Sequence, residues 1–195
     1  MATKAPSGHI TVTESPFSQS LFGSTRWAWL WLIVRVWLGI DWLQHGWEKV
    51  GNPAWTQTGL ALKGYWTRAI AVPDSPAKPP IAYDWYRSFI EALLDGGHYT
   101  WFAKLIVFSE LAIGIALVLG VVVGLTAFFG AFMNWNFMMA GTAATNPVLF
   151  TISILLMLAW RNAGWWGIDR WILPLLGTPW KPGRLFESAP ETRTD

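Results

Sequence analysis

The chain has 195 residues, of which 53% are apolar and only 13% charged, about half the charged share of an ordinary soluble domain. A net charge of +2 without a basic block excludes a surface that tracks nucleic acid. The absence of cysteine excludes disulfides, thiolate nucleophiles, iron–sulfur clusters and covalently attached haem.

Residues 1–26 are polar and contain Pro6, Pro16 and scattered Ser and Thr, so they read as a flexible tail; the first apolar run starts too late for a signal-peptide core and no small-residue cleavage site follows it, so it is expected to stay in the mature protein. The first apolar run, from Trp27 to about Trp47, carries Arg35 as its only charge before Asp41. A connection over 48–100 follows. In it Asn52-Pro53 reads as a helix cap and first-turn proline, and Trp55, Leu62, Trp66 and Ile70 share one stripe. Pro73, Pro76, Pro79 and Pro80 forbid a helix across 73–80. After Asp84 an amphipathic helix is predicted, with Tyr86, Phe89, Ile90, Leu93 and Leu94 opposite Arg87, Glu91 and Asp95, ending at Gly96-Gly97.

The stretch from Trp101 to Ala144, about 44 residues, is nearly unbroken apolar sequence and twice what one membrane crossing needs. Gly120 and Gly124 bracket the expected turn, and Thr145-Asn146-Pro147 starts a fourth run that ends near Trp165-Trp166. In lipid a chain must satisfy its backbone internally, and runs of about 20 continuous residues are helices rather than barrel strands. The expected fold class is therefore an all-α membrane protein. It is a four-transmembrane-helix bundle with spans at about 27–47, 101–119, 125–144 and 148–166, and with interfacial helices in the 48–100 loop. Residues 27–175 form the membrane domain, and 176–195 a polar C-terminal tail. Many of the 16 tryptophans sit where these runs begin or end, as interfacial anchoring predicts. Arg26, Arg161, Arg170, Lys181 and Arg184 flank the spans on the side of the termini, against Lys49, Lys63, Arg87 and Lys104 opposite. This balance leans toward cytoplasmic termini.

Arg35 and Glu110 are the sharpest chemical signal, because a charge at mid-bilayer costs a few kcal/mol or more unless paired or hydrated. Antiparallel first and second spans place them at similar depth, so a buried pair is expected, serving either helix packing or a proton or ligand site. Arg35, Gly39, Trp42 and Gly46 share one face of the first span, and Gly114 allows a close neighbour one turn from Glu110. In the third span Asn134 and Asn136 point to nearly opposite faces, with Asn134 expected inside. Asp41, His45, Glu48 and Lys49 cluster at the end of the first span, with His98 on the same side. They read as a proton relay or headgroup-level site, or as solvated helix-end polar residues. No GxSxG, P-loop, GxGxxG or HExxH pattern occurs.

VRVWLGIDWLQHGWEKVGNP (34–53), SELAIGIALVLG (109–120), NWNFMMAG…NPVLF (134–150) and AGWWGIDRWILP (163–174) resemble the helices of the DoxX/DoxD family, over about residues 27–175. The insertion at 51–90 departs from the shortest members and looks closer to the DoxD-type branch. The resemblance implies a multi-pass protein of a bacterial or archaeal cytoplasmic membrane. It further implies a membrane subunit of a quinone-linked oxidoreductase, of which thiosulfate:quinone oxidoreductase is the example. It singles out Arg35, Gly39, His45, Gly46, Lys49, Glu110, Gly114, Asn134 and Asp169. On this basis Arg35 and Glu110 are the candidate catalytic pair, and Trp42, His45, Lys49 and Asn134 the candidate quinone or ligand site. No metal is expected, and the expected partners are the bilayer and other membrane or peripheral subunits. A non-enzymatic anchoring or assembly subunit and a small proton-coupled transporter are the alternatives.

Overall fold

Ser15 ahead of Pro16 starts the first helix. The Ser15 hydroxyl accepts from the Ser18 amide, and proline occupies the first turn, where its missing N–H costs nothing. This helix, α1 (Pro16–Gly23), lies inside the stretch that reads as a flexible tail. Its Leu21 and Phe22 pack on the core, the Leu21 carbonyl accepts from Trp31 Nε1 at 2.9 Å, and Arg161 pairs with Glu14 at 2.9 Å. The computed structural model describes residues 3–4, 10–11, 14–74 and 76–177; Lys181, Arg184, His9 and most of the C-terminal tail lie outside them.

The described fold is all-helical apart from a two-residue ladder pairing Thr3 with Thr11 and Lys4 with Ile10. After a short 3-10 turn come α2 (Ala28–Val50), α3 (Pro53–Thr56), α4 (Leu60–Ala69), α5 (Asp84–Asp95), α6 (Tyr99–Leu119) and α7 (Val123–Met139). Then follow α8 (Asn146–Leu158), α9 (Trp160–Ala163) and α10 (Asp169–Leu175). Helices α2, α6, α7 and α8 pack around one core that contains Trp31, Leu38, Trp42, Leu117, Val123 and Leu156. A second core under α4 and α5 joins Leu62, Trp66, Tyr86 and Ile90 to Ala103 and Ile106 of α6.

Each of the four apolar runs carries one main helix, with shifted ends. Gly120, at φ +71°, turns α6 into α7. The fourth run does not continue to 166: α8 stops at Leu158, and a single turn, α9, follows. Buried Asn162 in that turn donates to the carbonyls of Leu21 and Ser24 at 3.1 and 2.8 Å, which ties the chain across the end of α1. The predicted helix from Pro53 is also split. Gly59, at φ +72°, separates α3 from α4, where a side chain would strike the Tyr99 carbonyl at 2.5 Å. Among the described helices, α6 is long and apolar enough to cross a membrane; α8 is apolar but has 13 residues.

The buried face of α2 is Ala28, Trp31, Arg35, Leu38, Gly39, Trp42 and Gly46, a helical stripe. It meets α6 antiparallel and backbone to backbone. A Cβ on Gly39 would lie 3.0 Å from the Gly114 carbonyl, and one on Gly114 2.9 Å from the Gly39 carbonyl. Neither helix can yield to a methyl group without shifting its axis. Gly39→Ala and Gly114→Ala are expected to cost about 1–3 kcal/mol each, lowering Tm by roughly 3–10 °C. Gly51→Ala, which meets nothing within 4 Å, should leave Tm unchanged in the same thermal melts.

Candidate functional site

Arg35 is 1% exposed, and among the described residues no carboxylate forms a direct ion pair with its guanidinium, although Asp169 stands near enough to act on its charge. Nε donates to the Ala163 carbonyl at 3.0 Å, Nη1 to Leu117 and, at 2.8 Å, to Val118, and Nη2 to Trp166 at 2.9 Å. Leu117 and Val118 belong to the last turn of α6, and Ala163 ends α9. Carbonyls at helix C-termini lack intrahelical donors and carry partial negative charge, so one cation with a fork of N–H groups satisfies several of them. Asp169 does the converse. Its two carboxylate oxygens accept from the amides of Val122 and, at 2.9 Å, Val123, at the start of α7. Glycines make the room: a Cβ on Gly120 would lie 2.8 Å from Arg35 Cζ, and one on Gly164 2.4 Å from the Asp169 carboxylate. Main-chain bonds from Ile168 to Leu119 (3.1 Å) and from Asp169 to Gly120 (2.9 Å) close the knot.

The expected pairing of Arg35 with Glu110 is therefore corrected. Glu110, 2% exposed, is held by Lys49, whose Nζ lies 2.8 Å from both carboxylate oxygens. The two helices run antiparallel, but Arg35 faces the last turn of α6, while Glu110 lies two turns earlier along it. Lys49 reaches back along α2, as helical side chains do, and also donates to the His45 carbonyl at 3.1 Å. Its ammonium stands 5.4 Å from the Trp55 ring of α3. His45, with its side chain 48% exposed, places Nδ1 at 2.8 Å from the Asp41 carbonyl and 3.4 Å from the Asp41 carboxylate. An exposed imidazole thus precedes a half-shielded ammonium, which precedes a buried carboxylate. His98 bonds instead with Trp101, at 3.3 Å.

The four residues expected to form one ligand site divide into two groups. His45 and Lys49 belong to the cluster just described. Trp42 and Asn134 lie in the closed interior, 3% and 1% exposed. Trp42 Nε1 and both amide atoms of Asn134 are buried with no hydrogen-bond partner among the described residues. A Cβ on Gly130 would come within 3.4 Å of Trp42 Nε1. The asparagine that bonds across to another helix is Asn136, whose side-chain and main-chain oxygens each lie 3.1 Å from Tyr86 Oη of α5.

The open space is elsewhere. A cleft of about 590 Å³ runs between α6 and α7, on the face of α6 away from α2, and α4 and α5 roof one end. Among the described residues no charged side chain lines it. Sequence reasoning missed it, although a signal exists: Ser109, Ala112 and Ala116 leave α6 shallow opposite Phe129 and Phe132 of α7. At the roofed end Tyr65 Oη meets Thr142 Oγ1 at 2.8 Å. Burial raises the Tyr65 phenol above its usual pKa, and burial, helped by the neighbouring Tyr65, pushes that of Tyr86 up to about 12. No family model, no curated protein and no solved structure matches this chain.

Removing one member of a buried ionic arrangement strands the others. Arg35→Met should cost about 3–5 kcal/mol and abolish folding in a marginal background. Lys49→Met with Glu110→Leu should be milder in thermal melts than Glu110→Leu alone, which strands the ammonium. The tyrosines set an alkaline limit. A phenol that holds its proton more tightly in the folded state stabilises the fold below pH 10 and loses that contribution as pH rises toward 12. Tyrosinate absorbance and helical signal should therefore change together above pH 10 for wild type, with the loss shifted upward in Tyr86→Phe.

Proposed function

We propose that this chain is a four-span integral membrane protein of the DoxX/DoxD type, the membrane subunit of a quinone-linked oxidoreductase with thiosulfate as the candidate donor. The spans are α2, α6, α7 and the α8–α9 segment, with α4 and α5 at the membrane surface, and the termini are cytoplasmic. Support for the membrane comes from an inverted distribution of polarity. Ile33, Phe108, Phe132 and Ile154 face outward, while Arg35, Glu110, Asn134, Asn162 and Asp169 are buried. Water rewards the opposite arrangement; lipid rewards this one.

The observation that carries the redox reading is Glu110, buried and held by Lys49 beside exposed His45. A bound quinone supplies a two-electron acceptor that takes up two protons on reduction. In lipid those protons must be passed by a protein group. Among the described residues the fully buried carboxylates are Glu110 and Asp169, and both oxygens of Asp169 are engaged by α7 amides. Both oxygens of Glu110 are engaged too, but by Lys49, a side chain that reaches the surface, so Glu110 is the group assigned to hold and release a proton, with Lys49 neutralising its charged form. The 590 Å³ cleft on the other face of α6, lined by aromatic and aliphatic side chains, fits a flat neutral ring with a hydrocarbon tail. The chain has no cysteine for thiolate chemistry; under this reading the donor is oxidised on a partner subunit.

A second reading, a non-enzymatic anchor, draws on the Arg35–Asp169 knot, which is satisfied within the chain and needs no ligand. One experiment separates the two. Membranes carrying wild type or Glu110→Gln are assayed for thiosulfate-dependent reduction of decylubiquinone, with partner retention measured by co-purification. The redox reading expects a loss of about 10²-fold or more with partners retained. An unchanged rate in Glu110→Gln favours the anchor.

A further inference from the structure

The α6–α7 cleft lies apart from Arg35, Trp42, His45, Lys49, Glu110 and Asn134, and its shape restricts what it accepts. It extends from Phe102 and Ala140 under the roof to Ala116 and Leu125 beside the hairpin turn. Along α6 that is roughly 21 Å at 1.5 Å per residue. Spread over this length, a volume of about 590 Å³ has a mean section of roughly 28 Å², close to one extended hydrocarbon chain.

Polarity gives the cleft a direction. Toward the hairpin the polar group is Thr126, and its hydroxyl is spent on the Val121 carbonyl at 2.9 Å. Under the roof Tyr65 Oη, Tyr86 Oη and Asn136 gather beside the rings of Trp66, Phe89 and Phe102. The single phenolic hydrogen of Tyr86 is shared between two Asn136 oxygens, both at 3.1 Å, and is open to a better acceptor. With no cation in the lining, a phosphate head would be buried without a counter-charge. A flat uncharged ring with carbonyl groups matches both the aromatic walls and the phenol.

We propose that this cleft, and not the end of α2, is the quinone site: the ring lies under α4 and α5 with a carbonyl at Tyr86 Oη, and the prenyl tail follows the α6–α7 groove. The proposal rests on the quinone reading above for the identity of the head. It also places Glu110 on the opposite face of α6 from the ring, with Ser109 on the cleft side, so Glu110 does not hand its proton to the ring directly.

The test is binding, not turnover. Decylubiquinone is titrated into the purified full chain in mild detergent, and affinity is read from quenching of tryptophan fluorescence. Ala112→Phe, which fills the middle of the groove, and Tyr86→Phe should each weaken binding about tenfold. Val148→Ala, on the outward side of α8, should not. Ser109→Leu replaces Ala112→Phe if the latter fails to fold. Saturable binding that is lost in Lys49→Met but unchanged in the groove variants would overturn the location and keep the quinone reading. No saturable binding by wild type would sink the quinone reading itself. Equal affinity for a phosphatidylcholine with a brominated tail would overturn the neutral-head assignment.

Discussion

One buried guanidinium organises this molecule. Arg35 lies in the interior of a mostly apolar fold and is satisfied by four main-chain carbonyls rather than by a carboxylate. An uncompensated charge there would cost several kcal/mol, a large share of a fold's net stability, so these carbonyls must be held in place. The end of α6, the single turn of α9 and the segment leading to Asp169 all converge on it. Asp169 then fixes the start of α7 by taking its first free amides. Charge of each sign is thus placed at the helix end of opposite polarity, and the α6–α7 turn is held from both sides.

Because Arg35 is occupied at one end of the α2–α6 pair, Glu110 is left to Lys49 at the other. The two ionic centres play different parts. The Arg35 knot spends four of the five guanidinium N–H groups on main-chain carbonyls within the fold. The Glu110 pair is connected to the surface through the Lys49 side chain, 19% exposed, with His45 beside it. Helix α6 then presents two surfaces: an ionic one toward α2, and a neutral cleft toward α7. Under the proposed function, one face handles protons and the other the ring and its tail.

The legible parts of the fold were those written in spacing. The stripe of Arg35, Gly39, Trp42 and Gly46, the opposing Gly114, the Asn52-Pro53 cap and the proline-rich interruption all follow from helical period and backbone chemistry. The partner of Arg35 was not legible, because main-chain carbonyls leave no mark on a sequence; a carboxylate at similar apparent depth was the visible candidate. Asp169 could be singled out only through resemblance, since its role depends on how the chain folds back after α9. Helix α1 had a readable start in Ser15-Pro16, outweighed by its polar surroundings. The cleft escaped because it arises from the mismatch of small residues on α6 with large ones on α7, a relation between helices rather than within one. Trp42 and Asn134 were correctly marked as interior, yet their burial closes them off from that cleft.

The central claim is that this fold is turned inside out, with charge within and lipid without. The chain has no cysteine, so single cysteines introduced in native membranes test it directly. The account expects cysteines at Phe108 and Ile154 to resist a charged, water-soluble maleimide after the vesicles are opened to both faces. Cysteines at Glu48 and Asp84 should react fully. Labelling of the Phe108 and Ile154 positions as fast as the Asp84 position would contradict it.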